Sequence, residues 1–227
     1  MIVSVEVGEV RTRVAATSRR LGVEGLVLGT AGNVSERCDE LVAITPTGAV
    51  LAELEPEHVS VVDLDGRQVA GELAPTSELE LHLGAIRTHG AGAVVHTHAP
   101  MSTAAACVLD ELPCVHYAML ALGGAVPVAP YETFGTPALA GAVTAALAGR
   151  SAALMANHGA VTVAADVEAA AELALLLEWA ASVYLHAAAA GTPRVLDEQQ
   201  QAAVIATIAQ RGYGSTQAAV PPRQEAT

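Results

Sequence analysis

The sequence contains no lysine, because all eleven basic residues among its 227 are arginines. Without a lysine side chain, the protein cannot form a lysine Schiff base with a carbonyl substrate or with pyridoxal phosphate. A nucleotide-binding P-loop is excluded too, since it needs its lysine. Any carbanion chemistry must therefore use a metal ion or another electron sink.

Cysteine and positive charge are also scarce. The three cysteines, Cys38, Cys107 and Cys114, are scattered and odd in number. They form neither a metal-ligand pattern nor a disulfide framework, which is typical of a reducing cytoplasm. The formal net charge of −13 argues against nucleic acid and anionic membrane as partners.

The longest apolar segment, residues 169–190, carries Glu172, Glu178 and His186. These side chains favour a buried or interface helix over a membrane span. The first residues carry a charge every few positions, so we predict no signal peptide and a cytoplasmic location.

Hydrophobic patterning predicts helices that alternate with short strands. The predicted helices lie near residues 7–21, 79–90, 101–110, 137–149, 166–190 and 197–211. The glycine-rich stretch GTAGNVSER, residues 29–37, predicts a turn. Without a linker or repeat, residues 1–214 form one predicted α/β domain, and residues 215–227 a disordered tail.

Two histidines, His96 and His98, follow the apolar run Val94-Val95. Strand side chains alternate between faces, so both imidazoles point the same way. That arrangement suits a metal ion better than a core. A zinc site needs at least three protein ligands, and the third candidate is His158, between two apolar strands. The alternative for each is an ordinary hydrogen-bonded core histidine.

Glu78 stands at a predicted helix start, directly after Pro75-Thr76-Ser77. A hydroxyl of Thr76 or Ser77 could cap the helix, and the N–H groups of a helix N-terminus suit an anion such as phosphate. The alternative is an ordinary acidic first turn. His82, one turn further on, could support Glu78 or simply pack in the core.

Seven motifs carry a family resemblance: GTAGNVS, ITPTG, PTSE, HTH, HYAMLALGG, APYETFGT and NHG. Their order and spacing closely resemble the class II aldolase/adducin family, from the first helix to about Tyr213. They are most similar to the members that cleave L-fuculose 1-phosphate. The resemblance implies a three-layer α/β/α domain around a mixed, mostly antiparallel sheet, and a homotetramer with active sites between subunits.

The resemblance also implies roles for individual residues. The Zn²⁺ ligands correspond to His96, His98, His158 and Glu78, and Glu78 is also the catalytic carboxylate. The phosphate-binding positions correspond to Gly32, Asn33, Thr47, Gly48, Thr76 and Ser77. Two further catalytic positions correspond to Tyr117, from a neighbouring subunit, and Tyr213, on the tail. At Thr76 the family usually has serine, so the hydroxyl is kept and a methyl is added.

The implied reaction is retro-aldol cleavage of a ketose 1-phosphate to dihydroxyacetone phosphate and an aldehyde such as lactaldehyde. Zinc would stabilise the enediolate, Glu78 would move the proton at C3, and Tyr117 would serve the aldehyde oxygen. Methylthioribulose-1-phosphate dehydratase and sugar-acid phosphate decarboxylase remain alternatives on the same scaffold. The related epimerases usually carry Asp at the position of Glu78. A metal-free, adducin-like binding module is disfavoured by the three intact histidines.

Overall fold

The structure, a computed structural model, describes residues 5–211. Tyr213 and the predicted tail, residues 215–227, lie outside the described residues, and the predicted domain boundary at 214 stays a prediction. The α-helices are α1 (Val5–Val23), α2 (Leu79–His89), α3 (Pro100–Ala106), α4 (Pro137–Ala146), α5 (Val167–Ala190) and α6 (Glu198–Arg211). The strands are β1 (Asn33–Cys38), β2 (Leu41–Ile44), β3 (Ser60–Asp63), β4 (Gln68–Ala70), β5 (Ala93–Thr97), β6 (Glu111–Leu112), β7 (Val126–Ala129), β8 (Ala152–Met155) and β9 (Gly159–Ala164).

The strands form one sheet in the order β4-β3-β2-β1-β5-β9-β8-β7-β6. Its neighbouring strands are antiparallel except for the parallel pair β7 and β8. The prediction of a mixed, mostly antiparallel sheet is therefore confirmed. Strand β5 lies at the centre, between β1 and β9, and the candidate histidines stand at its end.

Helices cover both faces of this sheet and give it three layers. Helices α1, α3 and α5 contact one another or the same face of the central strands, whereas α2 and α4 contact each other and the opposite face. Alternation along β5 divides its side chains between two cores. Val95 packs in the core under α1 and α5, and Val94 in the core under α2 and α4.

Helix α5 is long and apolar enough, by length and composition, to cross a membrane. In the structure it packs against β5, β9, α1 and α3. The side chains that it buries are mostly small, such as Ala170, Ala174 and Ala181. Close packing on the sheet accounts for this buried side of the helix, and only 22% of its most apolar window is buried within one chain.

The stretch predicted as a glycine-rich turn is only partly a turn. From Asn33 onward it forms β1, paired on one side with β2 and on the other with β5. The strand has no apolar run, because Asn33, Ser35 and Glu36 are polar yet buried. Glu36 is paired with Arg13 of α1 at 2.8 Å. The local sequence pattern of β1 therefore does not predict a strand. Its polar side chains can be buried because residues distant in the sequence pair with them.

Candidate metal centre and cleft

His96 and His98 do lie together at the end of β5. The side chain of His96 is fully buried, and its Nδ1 faces the carbonyl oxygen of Ala160 at 2.9 Å. Since a carbonyl only accepts, Nδ1 carries a proton, so the neutral ring has its lone pair on Nε2. Nε2 of His98 lies 2.9 Å from this Nε2. Both imidazoles thus present ring nitrogens to one point.

His158 reaches the same point from the turn between β8 and β9. Asn157 adopts the left-handed conformation, with φ of 54°, which asparagine tolerates better than most residues. Gly159 is needed for a different reason, because a Cβ there would collide with the carbonyl oxygen of Thr97. The ring of His158 then lies 5.0 Å from that of His96, centroid to centroid.

Glu78 is the residue directly before α2, and its side chain does not cap the helix. The carboxylate turns toward the histidines instead. Its Oε2 is 3.2 Å from Nε2 of His96, and its Oε1 is 3.6 Å from Nε2 of His158. Neither Thr76 nor Ser77 caps the helix, and the hydroxyl of Thr76 accepts from the N–H of Glu78 at 3.3 Å. The expectation of an ordinary helix cap is therefore wrong.

The electrostatics of this cluster favour a bound cation. Burial opposes ionisation of Glu78, but His96, Asn33 and His158 outweigh it and hold the pKa of the carboxyl well below its usual range. Burial, with repulsion from neighbouring histidines, lowers the pKa of His98 to about 4 and also lowers the pKa of His158. The ionised carboxylate of Glu78 and the neutral rings of His98 and His158 are the forms that bind metals.

The donor set fits a divalent ion. Ligand nitrogens of the three histidines all lie within 4.8 Å of one another. The Oε1 atom of Glu78 is buried and has no hydrogen-bond partner, which is costly unless a ligand satisfies it. Three imidazoles and a carboxylate are ligands typical of zinc. The proton on Nδ1 of His96, held by a backbone carbonyl, is the usual support for such a ligand.

The cluster stands at one wall of a cleft of about 490 Å³, a volume within the usual range for small-molecule sites. All six predicted phosphate-binding positions line this cleft: Gly32, Asn33, Thr47, Gly48, Thr76 and Ser77. Two of their loops are joined by backbone hydrogen bonds, from the N–H of Thr47 to Ala74 and from that of Thr76 to Thr45. No arginine in the described part of the chain lines the cleft.

Tyr117 does not lie in this cleft. It begins a short 3-10 turn, Tyr117–Leu122, and its side chain packs 4.4 Å from the ring of His116. Together with residues of α6, it lines a separate groove. One chain alone therefore does not bring Tyr117 to Glu78. The other predicted tyrosine, Tyr213, lies outside the described residues.

Several lining residues were given no role by sequence reasoning. Tyr131, Glu132 and Phe134 line the cleft, and both aromatic rings are more than 60% exposed. They belong to the motif APYETFGT, which carried the family resemblance without an assigned function. Asn157 lines the cleft as well. The sequence feature that could have indicated a role in the cleft is the pair Tyr131 and Phe134, two aromatic residues in a segment rich in turn-forming residues.

Comparison with known proteins shows the family. Residues 12–185 match the family model described as the class II aldolase and adducin N-terminal domain, so the chain belongs to this family. Class II aldolases are typically metal-dependent, in agreement with the histidine cluster. Membership supports a lyase that acts on sugar phosphates.

Individual relatives differ in the substrate they are named for. The chain is 38% identical over 193 residues to a 5-deoxy-D-ribulose 1-phosphate aldolase of Bacillus thuringiensis serovar kurstaki, covering 84% of this chain and 91% of that one. It is 39% identical over 184 residues to an L-fuculose phosphate aldolase of Escherichia coli K12, covering 80% and 85%. A solved L-fuculose 1-phosphate aldolase superposes with a TM-score of 0.86 at 32% identity, over 91% of this chain and 98% of that one, which confirms the predicted fold class.

Proposed function

We propose that this protein is a zinc-dependent class II aldolase that cleaves a ketose 1-phosphate to dihydroxyacetone phosphate and an aldehyde. The observation that carries the proposal is the convergence of three imidazoles and Glu78, with one unpaired carboxylate oxygen, on a cleft lined by hydroxyl and amide groups. The absence of lysine supports it, because the Schiff-base route to the same cleavage is closed.

In the proposed site, His96, His98, His158 and Glu78 hold the metal. A divalent ion there would act as a Lewis acid toward the carbonyl of the substrate and stabilise the enediolate. Glu78 takes or returns the proton at C3, which requires a carboxylate that is ionised and held in place. Its contact with Asn33 agrees with the second part of that requirement.

The phosphate in this proposal is bound without a cationic side chain. Hydroxyls of Thr47, Thr76 and Ser77, the amide of Asn33 and the backbone at Gly32 and Gly48 surround the proposed position. Such neutral donors orient a phosphate by hydrogen bonding, and the bound metal supplies the positive charge. The presence of Glu132, and the lack of arginine among the described residues that line the same cleft, disfavour a substrate with a further carboxylate, such as a sugar acid.

We propose a homotetramer in the cytoplasm whose sites are shared between subunits. Tyr117 lies outside the cleft of its own chain, so a role in proton transfer to the aldehyde oxygen requires a neighbour. The apolar surface that α5 leaves unburied within one chain is consistent with an interface. Tyr213, on the tail, is proposed as a second catalytic tyrosine.

A product assay tests the proposed reaction. Zinc-loaded protein is given L-fuculose 1-phosphate or 5-deoxy-D-ribulose 1-phosphate, and dihydroxyacetone phosphate is measured by its enzymatic reduction with NADH. We expect release of dihydroxyacetone phosphate from at least one substrate, and its near absence with Glu78→Gln. Loss of water from methylthioribulose 1-phosphate without carbon–carbon cleavage, or release of carbon dioxide from a sugar-acid phosphate, would replace the aldolase by a dehydratase or a decarboxylase.

A further inference from the structure

A chain of buried hydrogen bonds leads from Glu78 into the layer of α2. Nδ2 of Asn33 donates to Oε2 of Glu78 at 2.9 Å. Nε2 of His82 lies 2.5 Å from Oδ1 of Asn33, and Oγ of Ser35 lies 2.7 Å from Nδ1 of His82. Ser35 and His82 are fully buried, and Asn33 is 5% exposed. These hydrogen bonds are thus shielded from water except at Glu78 and at the side of Asn33 that lines the cleft.

The fold brings these residues together by simple periodicity. Asn33 and Ser35 are two positions apart on β1 and share a face. Their strand pairs with β5 so that Asn33 stands opposite His96. His82 comes four residues after Glu78 on α2, which places it one turn along the same side of the helix. One strand and one helix therefore supply all four groups.

With a neutral His82 ring, the hydrogen bonds allow only one arrangement of donors and acceptors. A carboxylate accepts, so Asn33 must present its NH₂ group to Glu78 and its oxygen to His82. His82 must then carry its proton on Nε2 and accept the hydroxyl proton of Ser35 at Nδ1. Burial favours the neutral ring that this requires, since it lowers the pKa of His82 to about 3. If the amide of Asn33 were reversed, two oxygens would face each other at Glu78.

We propose that His82 and Ser35 are positioning residues that lock the amide of Asn33 and, through it, the carboxylate of Glu78. The inference rests on the proposed function, because it assigns these residues to the proton-transfer step at Glu78. Asn33 also lines the cleft, so the same amide links the carboxylate to the region proposed for the phosphate. A misplacement of about 1 Å at a reacting group can cost about a hundredfold in rate.

Two substitutions of His82 separate positioning from packing. His82→Gln keeps an N–H donor near the position of Nε2, whereas His82→Asn keeps a polar group only near Nδ1 and cannot reach Asn33. We expect His82→Asn to lower kcat about ten- to a hundredfold, with KM changed less than about threefold and zinc still bound. His82→Gln should recover most of kcat. His89→Asn, at an exposed histidine of the same helix, is the control.

A spectroscopic readout follows the carboxylate without measuring turnover. In cobalt-substituted protein the visible absorption reports the ligands, and we expect His82→Asn to shift it toward the spectrum of Glu78→Gln, while His82→Gln resembles the unsubstituted protein. If His82→Asn is less stable but has an unchanged spectrum and an unchanged kcat, the hydrogen bonds from Ser35 to Glu78 stabilise the fold only. That result would overturn the proposal.

The tautomer of His82 can be read in metal-free protein, independently of any activity. In ¹⁵N-histidine-labelled protein, we expect the signals lost in His82→Gln to be those of a neutral ring protonated on Nε2. A ring protonated on Nδ1, or a charged ring at neutral pH, would overturn the inference whatever the enzyme does. If the tautomer is as expected but no cobalt is bound and no ketose phosphate is cleaved, then the proposed function fails. A catalytic positioning role for His82 fails with it, and the hydrogen-bond chain remains as structure.

Discussion

Two clusters of buried polar side chains lie side by side at the centre of the molecule, and they use their hydrogen-bonding capacity differently. In the histidine cluster, formed by His96, His98, His158 and Glu78, two Nε2 atoms face each other at 2.9 Å, and one carboxylate oxygen has no hydrogen-bond partner among the described residues. In the asparagine cluster, formed by Asn33, Ser35 and His82, each donor meets an acceptor.

This difference indicates that one cluster binds a ligand and that the other holds a neighbouring side chain in position. Buried polar groups are almost always paired, because an unpaired one costs about 1–3 kcal/mol. The unpaired groups of the histidine cluster converge on one point, as ligands do around a cation. The fully paired groups of the asparagine cluster have no capacity left for a ligand, apart from the cleft side of Asn33, and are suited to holding their neighbour in place.

The largest expected effect comes from removing a ligand of the histidine cluster. His98→Ala and His96→Ala should each lose bound zinc and all measurable activity, because alanine leaves one of the four converging ligand positions empty and the other three side chains stay held in the geometry of the full set. Metal content by mass spectrometry, together with circular dichroism to show that the fold survives, checks this. His89→Ala is the matched control at an exposed site. Stoichiometric zinc in both cluster variants would remove the ligand assignment.

A smaller loss is expected when the carboxylate keeps its shape but loses its charge. Glu78→Gln should lower kcat about a hundred- to ten-thousandfold, the usual contribution of a general acid or base. Because three histidines remain, the variant should still bind zinc. Steady-state kinetics on metal-analysed protein give the answer, and a kcat near that of the unsubstituted enzyme would leave Glu78 with a structural role only.

Tyr117 belongs to neither cluster, and subunit mixing can test whether it completes the histidine cluster of a neighbour. Tyr117→Phe and His96→Ala are each expected to be inactive. The two variants are mixed in equal amounts and their subunits are exchanged under mild denaturant. If each site takes His96 from one subunit and Tyr117 from its neighbour, about a quarter of the sites in the mixed oligomers regain both residues. Activity of the mixture against each unmixed variant is the measurement. No recovery, with exchange proven by mass-tagged subunits, would argue that Tyr117 is not shared.

The histidine cluster could be predicted in part from local spacing. His96 and His98 share a face because a strand alternates, and no tertiary information is needed for that. Nothing in the spacing places His158 or Glu78 beside them. Their positions depend on the order β1-β5-β9 in the sheet and on where α2 begins, and only the family resemblance supplied that information.

The pattern of hydrophobic residues in the sequence does not predict the asparagine cluster. The strand that carries Asn33 and Ser35 has no apolar alternation, so it was predicted as a turn. Its polar side chains are buried because His82 and Glu78, more than forty residues away, supply their partners. A pattern of hydrophobic residues records burial against apolar neighbours and does not record burial within a polar network.

The smallest expected effect tests whether the ring of His82 is held neutral. Its pKa is about 3 in the folded protein, because burial and the nearby His96 outweigh the attraction of Glu78, against a usual value of 6.5. Between these pH values the unfolded chain binds a proton that the folded chain excludes. The contribution of His82 to stability is therefore fully present above pH 6.5 and is lost progressively as the pH falls toward 3, by up to about 1.4 kcal/mol per pH unit.

Glutamine does not titrate, so His82→Gln removes the contribution of His82 to the pH dependence of stability. The free energy of unfolding of this variant should change less with pH, by up to about 1.4 kcal/mol per pH unit. The free energy of unfolding, measured in urea at several pH values between 4.5 and 7.5 on metal-free protein at one concentration, gives the two slopes. Parallel slopes for His82→Gln and the unsubstituted protein would mean that His82 takes up its proton in the fold as readily as in the unfolded chain. Its Nδ1 would then no longer accept from Ser35, and the asparagine cluster would lose the fixed donor order that distinguishes it from the histidine cluster.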